Sequence, residues 1–250
     1  MKTRLALATL VFAVAPSLLA HDLWIEPSTF HPKVGERVLV ALRVGRNVNG
    51  EPMPRIPPLV QRFEFAGKPI IGAPGADPAG IALVSEAGLQ WIGYQSNAYP
   101  MTIEAAKFAE YLKEEGLPPR KTSAQVHERF YRCAKSLLDV PGKNAPTDTP
   151  LGFTLELVPR TNPYALKPGD SLPVSLTFRG KPIANILVVA MSKSDPQNAV
   201  HARTDANGRA TLRIAHGGFW LIKAVHMEPA PPGAGVEWES WWASMTFDLR

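Results

Sequence analysis

The sequence contains a single cysteine, Cys133, among its 250 residues. No intrachain disulfide can form, so packing must stabilise the fold even in an oxidising compartment. Lysine and arginine form no runs, which gives nucleic-acid binding little support. The only long apolar stretch lies near the start of the chain, and it is shorter than the roughly 20 residues that span a bilayer comfortably. The sequence therefore predicts a protein with no nucleic-acid partner and no transmembrane segment in its mature form.

Familiar catalytic motifs are also absent from the sequence. It contains no glycine-rich phosphate loop and no Gly-x-Ser-x-Gly elbow, and its six histidines form no HxH, HxxH or HxxxH pair. No spacing predicts a catalytic triad, so we expect a protein that is not an enzyme. Any metal site must be assembled from residues that are distant in sequence.

The first twenty residues have the order of charges and side-chain sizes that is typical of a secretory signal peptide. Lys2 and Arg4 precede the apolar stretch from Leu5 to Leu19, and the small residue Ala20 suits the position before a cleavage site. A cut after Ala15 is an alternative, but it would place Pro16 first, which signal peptidases tolerate poorly. We predict cleavage after Ala20, a periplasmic location, and a fall in formal charge from +5 to +3 because two basic residues are lost.

Turn-forming residues are abundant, with 25 prolines and 19 glycines, and alternating apolar residues predict β-strands at 37–44, 172–178 and 241–249. The predicted fold is mainly β, with two immunoglobulin-like β-sandwich regions and a two-helix insert. After the signal peptide at 1–20, residues 21–150 form the N-terminal sandwich-like domain. Its helical insert lies at about 102–140, and residues 151–250 form the C-terminal sandwich.

Helical spacing is the basis for the predicted insert. Phe108, Ala109 and Leu112 indicate a helix that ends at Gly116, and Thr122-x-x-Gln125 resembles a capping box that opens a second helix. The apolar stripe assigned to that second helix comprises Val126, Phe130, Cys133, Ala134, Leu137 and Leu138. The segment 143–150 that follows is interpreted as a linker.

Two segments share a turn-then-strand pattern. Gly35-Glu36-x-Val38-x-Val40-x-Leu42 matches Gly169-Asp170-x-Leu172-x-Val174-x-Leu176, and a proline precedes each. The match is compatible with an internal duplication, or with two unrelated β-domains that open with the same local pattern.

Several segments together resemble the family catalogued as domain of unknown function 4198. These segments are the opening His21-Asp22-Leu23-Trp24-Ile25-Glu26-Pro27, then Pro32-x-x-Gly35-Glu36, 42–45, 110–116, 131–135, 204–208 and 218–226. The resemblance covers nearly all of the mature chain. It implies an exported bacterial protein with a loose link to nickel or cobalt uptake, and hence a membrane transporter as a partner.

Cleavage after Ala20 would make His21 the first residue, whose free α-amine and ring nitrogen can bind one metal ion as a chelate. His226, at the end of a predicted strand, is the expected third ligand, and His31 could fold back toward His21. Nitrogen and oxygen ligands suit nickel, cobalt, copper or zinc. The leading hypothesis is therefore a periplasmic protein that binds or delivers a divalent transition metal.

Two other functions remain open at this point. Trp238 and Trp242 lie on one face of the last predicted strand, where exposed tryptophans would stack on a glycan or a partner protein. A β-sandwich binding module is therefore the main alternative. A copper oxidase or monooxygenase would use His21 in a histidine brace, and it would need a second histidine at the metal.

Overall fold

The computed structural model describes residues 21–142 and 149–250. The predicted signal peptide and six residues of the predicted linker, 143–148, lie outside this part of the chain. Within it the protein is mainly β, with one α-helix and two short 3-10 turns at Pro57–Leu59 and Pro163–Ala165. No helix among the described residues is both long enough and apolar enough to cross a membrane.

The elements divide into two series along the chain. The first is β1 (Asp22–Pro27), β2 (Arg37–Arg46), β3 (Asn49–Met53), β4 (Val60–Phe65), β5 (Lys68–Pro69), β6 (Gly80–Leu83), β7 (Gly88–Ser96), β8 (Tyr99–Glu104), α1 (Ala105–Glu114) and β9 (Gln125–Val140). The second is β10 (Leu155–Pro159), β11 (Ser171–Phe178), β12 (Lys181–Pro182), β13 (Leu187–Ser192), β14 (Val200–Arg203), β15 (Arg209–Arg213), β16 (Gly218–Pro229) and β17 (Trp238–Leu249).

One nine-stranded sheet, here called the central sheet, contains strands from both series. Its order is β14-β13-β16-β17-β9-β7-β4-β5, and β8 also pairs with β9. β9 and β17 pair in parallel, with Trp238 opposite Glu128, whereas the other paired strands of this sheet are antiparallel. The central sheet therefore continues across the predicted domain boundary at residue 150.

Two four-stranded sheets cover the two faces of the central sheet. The first small sheet has the order β1-β2-β3, with β6 also paired to β2, and the second has the order β10-β11-β12, with β15 paired to β11. On β16, Leu221 and Val225 belong to the hydrophobic cluster of the first small sheet, while Trp220 and Ile222 belong to that of the second. Successive strand residues point to opposite faces, so the small sheets pack on opposite sides.

The segment predicted as a second helix is instead strand β9, and the predicted capping box at Thr122 does not open a helix. Val126, Phe130, Ala134 and Leu138 recur every four residues, a spacing that keeps side chains on one face of a strand as well as of a helix. From Arg132 to Leu138 both faces of β9 are buried, so this half of the strand lacks the polar alternation of a half-exposed strand. The single helix α1 lies where Phe108 and Leu112 predict one, and Gly116, with a φ of +63°, follows it.

The two segments with matching sequence also pair in the same way. The amide of Gly35 donates to the carbonyl of Val84 at 2.8 Å, and that of Gly169 donates to Ile214 at 2.7 Å. Pro27 lies opposite Val40 in the first small sheet, as Pro159 lies opposite Val174 in the second. The repeated sequence pattern therefore corresponds to a repeated pattern of strand pairing.

Candidate functional site

His21 lies at the edge of a cleft of about 650 Å³ beside helix α1. The cleft is lined by β8 and α1 residues, among them Glu104, Lys107 and Glu110. Arg132 on β9 donates from Nη2 to the carbonyl oxygen of His21 at 3.3 Å. The sheet thus holds the backbone of His21, while its half-buried side chain borders the cleft.

Arg132 is a buried cation on the face of the central sheet that meets the first small sheet. Its guanidinium lies 5.2 Å from the ring centres of Tyr99 and Phe130, and its Nη1 is 3.6 Å from the sulfur of Met53. Burial lowers the pKa of Arg132 from its usual value. Cation–π contacts offset part of the cost of removing this charge from water.

The residue after His21 is held by a buried ion-pair network. Lys223 on β16 places its Nζ 2.9 Å from Asp22 and 2.8 Å from Glu115, which directly follows α1. Burial raises the pKa of Glu115 to about 7, against the opposing effect of Lys223. Burial would lower the pKa of Lys223, but the two carboxylates outweigh it and raise that pKa above its usual value. This network joins the start of β1 to the end of α1.

A second buried carboxylate, Glu128, lies beneath the same helix. Its Oε1 accepts hydrogen bonds from the hydroxyls of Tyr111 on α1, at 3.3 Å, and of Ser240 on β17. Its Oε2 has no hydrogen-bond partner among the described residues. Burial raises the pKa of Glu128 to about 7, although both hydroxyls favour the charged form. Helix α1 therefore covers two carboxylates that titrate near neutral pH.

His31 lies at the far end of the central sheet from His226. Its two ring nitrogens are each 3.6 Å from a carboxylate, Asp139 at the end of β9 and Asp248 at the end of β17. His226 is opposite Trp241 on β17, seven residues from Asp248, so the two histidines are about 23 Å apart along the strand.

His226 also lies on the other face of the central sheet from His21. Its ring packs against Phe178 of the second small sheet, with ring centres 4.5 Å apart, and its Nε2 is 3.4 Å from Glu228. Burial lowers the pKa of His226. Arg132, which bonds to His21, is seven residues from Asp139 on β9, which contacts His31, so His31 is also distant from His21. The predicted approach of His226 and His31 to His21 is therefore not found. Across residues 21–142 and 149–250, no group of three or more His, Cys, Asp or Glu side chains is placed to hold a metal ion.

The two tryptophans that the binding-module alternative would use as an exposed stacking surface are buried, at 9% and 6% exposure for Trp238 and Trp242. Helix α1 covers them: Tyr111 stacks on Trp242 at 5.4 Å, and Phe108 lies 6.4 Å from Trp238. Their burial excludes glycan stacking on this face in the described conformation.

The sequence interpretation missed the charges Arg132, Glu128 and Glu115, which are buried, and Lys223, which is 13% exposed. For three of them the sequence held a signal. Lys223 lies between Ile222 and Ala224, and Glu128 and Arg132 alternate with the apolar residues Val126, Phe130 and Ala134. Charged residues are seldom fully buried unless they are paired. The interpretation of this segment as a helix left Glu128 and Arg132 outside the apolar stripe and hid this signal.

Comparison with known proteins gives a family but no function. No curated protein matches the chain. Among solved structures, the D0-D1 domain of intimin matches with 12% sequence identity, covering 90% of this chain and 97% of that chain, with a TM-score of 0.21. A score this low supports no inference about the protein. The family model matches residues 18–228, a range that includes His21 and all three residues of the ion-pair network. The chain therefore belongs to the family described as Domain of unknown function (DUF4198).

Proposed function

We propose that the mature protein is an exported protein that binds a divalent transition metal through His21 and delivers it to a membrane transporter, as an accessory to nickel or cobalt uptake. The observation that carries this proposal is the placement of His21, whose carbonyl is held by Arg132 while its side chain borders an open cleft. After cleavage the α-amine and imidazole of this one residue would form the chelate.

The ligands of this site differ from those that the sequence suggested. Because His31 and His226 lie elsewhere, His21 would supply both nitrogen ligands by itself. Glutamates line the nearby cleft, but Glu104 and Glu114 are already paired with Lys107 at 3.7 Å and Arg46 at 3.5 Å. A site with so few protein ligands would leave coordination positions open, unlike the closed sites of structural metals. Such a site suits a metal that is passed on.

The test compares the mature chain with the same chain acetylated on the α-amine of His21. Acetylation keeps the imidazole but converts the amine to an amide, and it adds no new free amine beside the ring. Calorimetry with nickel, cobalt, copper and zinc should show binding to the mature chain and loss of affinity in the acetylated one. Equal affinity of the two chains would overturn the proposal, as would no binding of any of the four metals.

Matched histidine variants separate this site from adventitious binding. His201→Ala removes an exposed ring that forms a hydrogen bond with the carbonyl of Ala199, and His226→Ala removes the ring on the opposite face. Both should bind metal as the unmodified mature chain does, whereas His21→Ala should not. Binding should weaken as pH falls, because amine and imidazole must lose their protons to coordinate.

The proposal requires cleavage after Ala20. The intact mass of protein from the periplasmic fraction should correspond to a chain that starts at His21. A start at Pro16, or retention of Met1, would remove the terminal chelate.

We further propose that the chain consists of two β-sandwich repeats that share the central sheet. In this interpretation β9 and β17 are equivalent strands that meet in parallel at its centre, and each small sheet completes one sandwich. The equivalent backbone bonds of Gly35 and Gly169 support this interpretation.

A non-enzymatic binding module remains the alternative function. It would have to use a surface other than Trp238 and Trp242, and neither His31 nor His226 offers the second histidine of a copper oxygenase.

A further inference from the structure

The large exposed hydrophobic side chains of the described residues all lie in one region. They are Val34, Leu39, Ile71, Ile81 and Leu83, with exposures from 44% to 82%. Single exposed apolar residues are normal on soluble proteins, but a cluster marks an interaction site or an aggregation hazard. We call these five residues the apolar patch.

Strand pairing shows that the patch is continuous. Leu39 on β2 lies directly opposite Ile81 on β6, and Ile81 lies opposite Ile71 on its other side. Side chains that are directly opposite one another share a face of the sheet and are about 5 Å apart. Leu83 is two residues beyond Ile81 on the same face, and Val34 precedes Gly35, which bonds to Val84. The patch therefore covers the outer face of the first small sheet at its β6 edge.

The fold does not require apolar residues at these positions, as the second small sheet shows. Pairing of β11 with β15 repeats that of β2 with β6, so each patch residue on these strands has an equivalent. The equivalents carry a different chemistry: Pro173 for Leu39, Thr211 for Ile81 and Arg213 for Leu83. Two sheets with the same pairing thus have outer faces of opposite character, and only the first presents an aliphatic surface.

We propose that a second copy of this chain packs on the apolar patch, so that the protein forms a two-fold dimer through its first small sheets. Charges around the patch have both signs: Lys33, Glu36, Arg37 and Glu86 are all exposed. In a two-fold dimer the residues around the patch on one protomer face the same residues on its partner. Because these residues carry both signs of charge, basic groups can pair with acidic groups across the interface. An anionic membrane surface would instead favour a rim that is basic throughout.

The position of the patch on the outer face of a sheet also suits two sheets packed face to face. Aliphatic side chains from two outer faces can interdigitate, as they do between the sheets of a sandwich. A stable interface buries about 800 Å² on each partner, with an apolar centre and a polar rim. The patch would provide that centre, and the charged residues around it the rim. This inference is independent of metal binding, because the patch and the cleft beside His21 share no residue.

The experiment measures the mass in solution of the mature chain by sedimentation equilibrium over about a hundredfold range of concentration. The unmodified chain should shift from monomer to dimer as concentration rises. The double variant Ile81→Thr, Leu83→Arg gives the first sheet the residues that the second carries at the equivalent positions, so the fold should tolerate them. It should raise the dimer dissociation constant by about tenfold or more.

Thr211→Lys on the outer face of the second small sheet is the matched control, and it should leave the dissociation constant unchanged. Circular dichroism and urea unfolding of each variant check that it is folded. A monomer at every concentration would overturn the proposal, and so would a double variant that dimerises as tightly as the unmodified chain. Binding of a monomer to anionic lipid vesicles, lost in the double variant, would assign the patch to a membrane instead.

Discussion

Lys223 Nζ lies 2.9 Å from Asp22 Oδ1, although the two residues are 201 positions apart; Asp22 is buried and the side chain of Lys223 is 13% exposed. The bond fixes β1, and with it the residue that follows the predicted cleavage site, to the middle of the central sheet. Glu115 at 2.8 Å shares the same ammonium group, so one lysine compensates two carboxylates.

Removal of this lysine should be strongly destabilising. Lys223→Met keeps the length of the side chain but leaves Asp22 and Glu115 without their cation in a buried site. We expect a loss of about 3–5 kcal/mol in the free energy of unfolding, measured by urea denaturation. Lys193→Met is the control, because the Lys193–Glu26 pair is more exposed and its loss should cost less than about 1 kcal/mol. Similar losses for the two variants would contradict the importance assigned to the buried network.

Glu128 should make the protein less stable as the pH rises. Its pKa is about 7 in the folded protein against an ordinary value of 4.5, so the folded state retains a proton that the unfolded chain has lost. The free energy of unfolding should therefore fall between pH 4.5 and 7 by about 3 kcal/mol from this group, and then level off.

Glu128→Gln removes that ionisation and keeps an oxygen that can accept from Tyr111 and Ser240. Unfolding followed by fluorescence from pH 5 to 8.5 should show the variant gaining stability relative to the unmodified chain as pH rises. Glu110→Gln, on the exposed face of α1, should leave the pH profile unchanged. An unchanged profile in Glu128→Gln would show that Glu128 does not titrate in this range.

Phe130 should be a major contributor to the core. It is 1% exposed on β9 and stacks on Tyr99 with ring centres 5.0 Å apart. Phe130→Ala should cost about 3–5 kcal/mol of unfolding free energy. The same loss of unfolding free energy would be expected for a phenylalanine on a buried helix. In this structure, however, the cavity would open beside the central strands. A cost below about 1 kcal/mol would mean that this face of β9 is loosely packed.

Gly35 and Gly169 should respond alike to substitution. Their φ angles are +88° and +96°, and a Cβ at either position would meet no atom within 4 Å, so alanine should introduce only backbone strain. Each Gly→Ala variant should cost about 1 kcal/mol, and the double variant should show the sum because the sites lie in separate sheets. Unequal costs in thermal or urea unfolding would show that the two turns are not equivalent.

The sequence by itself determined the mainly β character, strands at 37–44, 172–178 and 241–249 that form parts of β2, β11 and β17, the helix around Phe108, and the paired turn-and-strand pattern. Each of these follows from local information: successive side chains of a half-buried strand alternate between apolar and polar, and glycine is favoured where φ is positive. The family resemblance, carried by short motifs across the chain, is confirmed by the family match.

Tertiary structure alone decided what β9 is and where the charges lie. Val126 and Phe130 are four residues apart, which suits a helix and a strand equally, so the parallel pairing with β17 settles the conformation. The histidines were predicted to meet, but the central sheet lies between His21 and His226. The sequence could not show this, because no local pattern reveals on which face of a distant strand a residue lies. The pairing of Asp22 with Lys223 is equally invisible to local patterns: an opposite charge lowers the cost of burying Asp22, and the folded chain supplies it from 201 residues away.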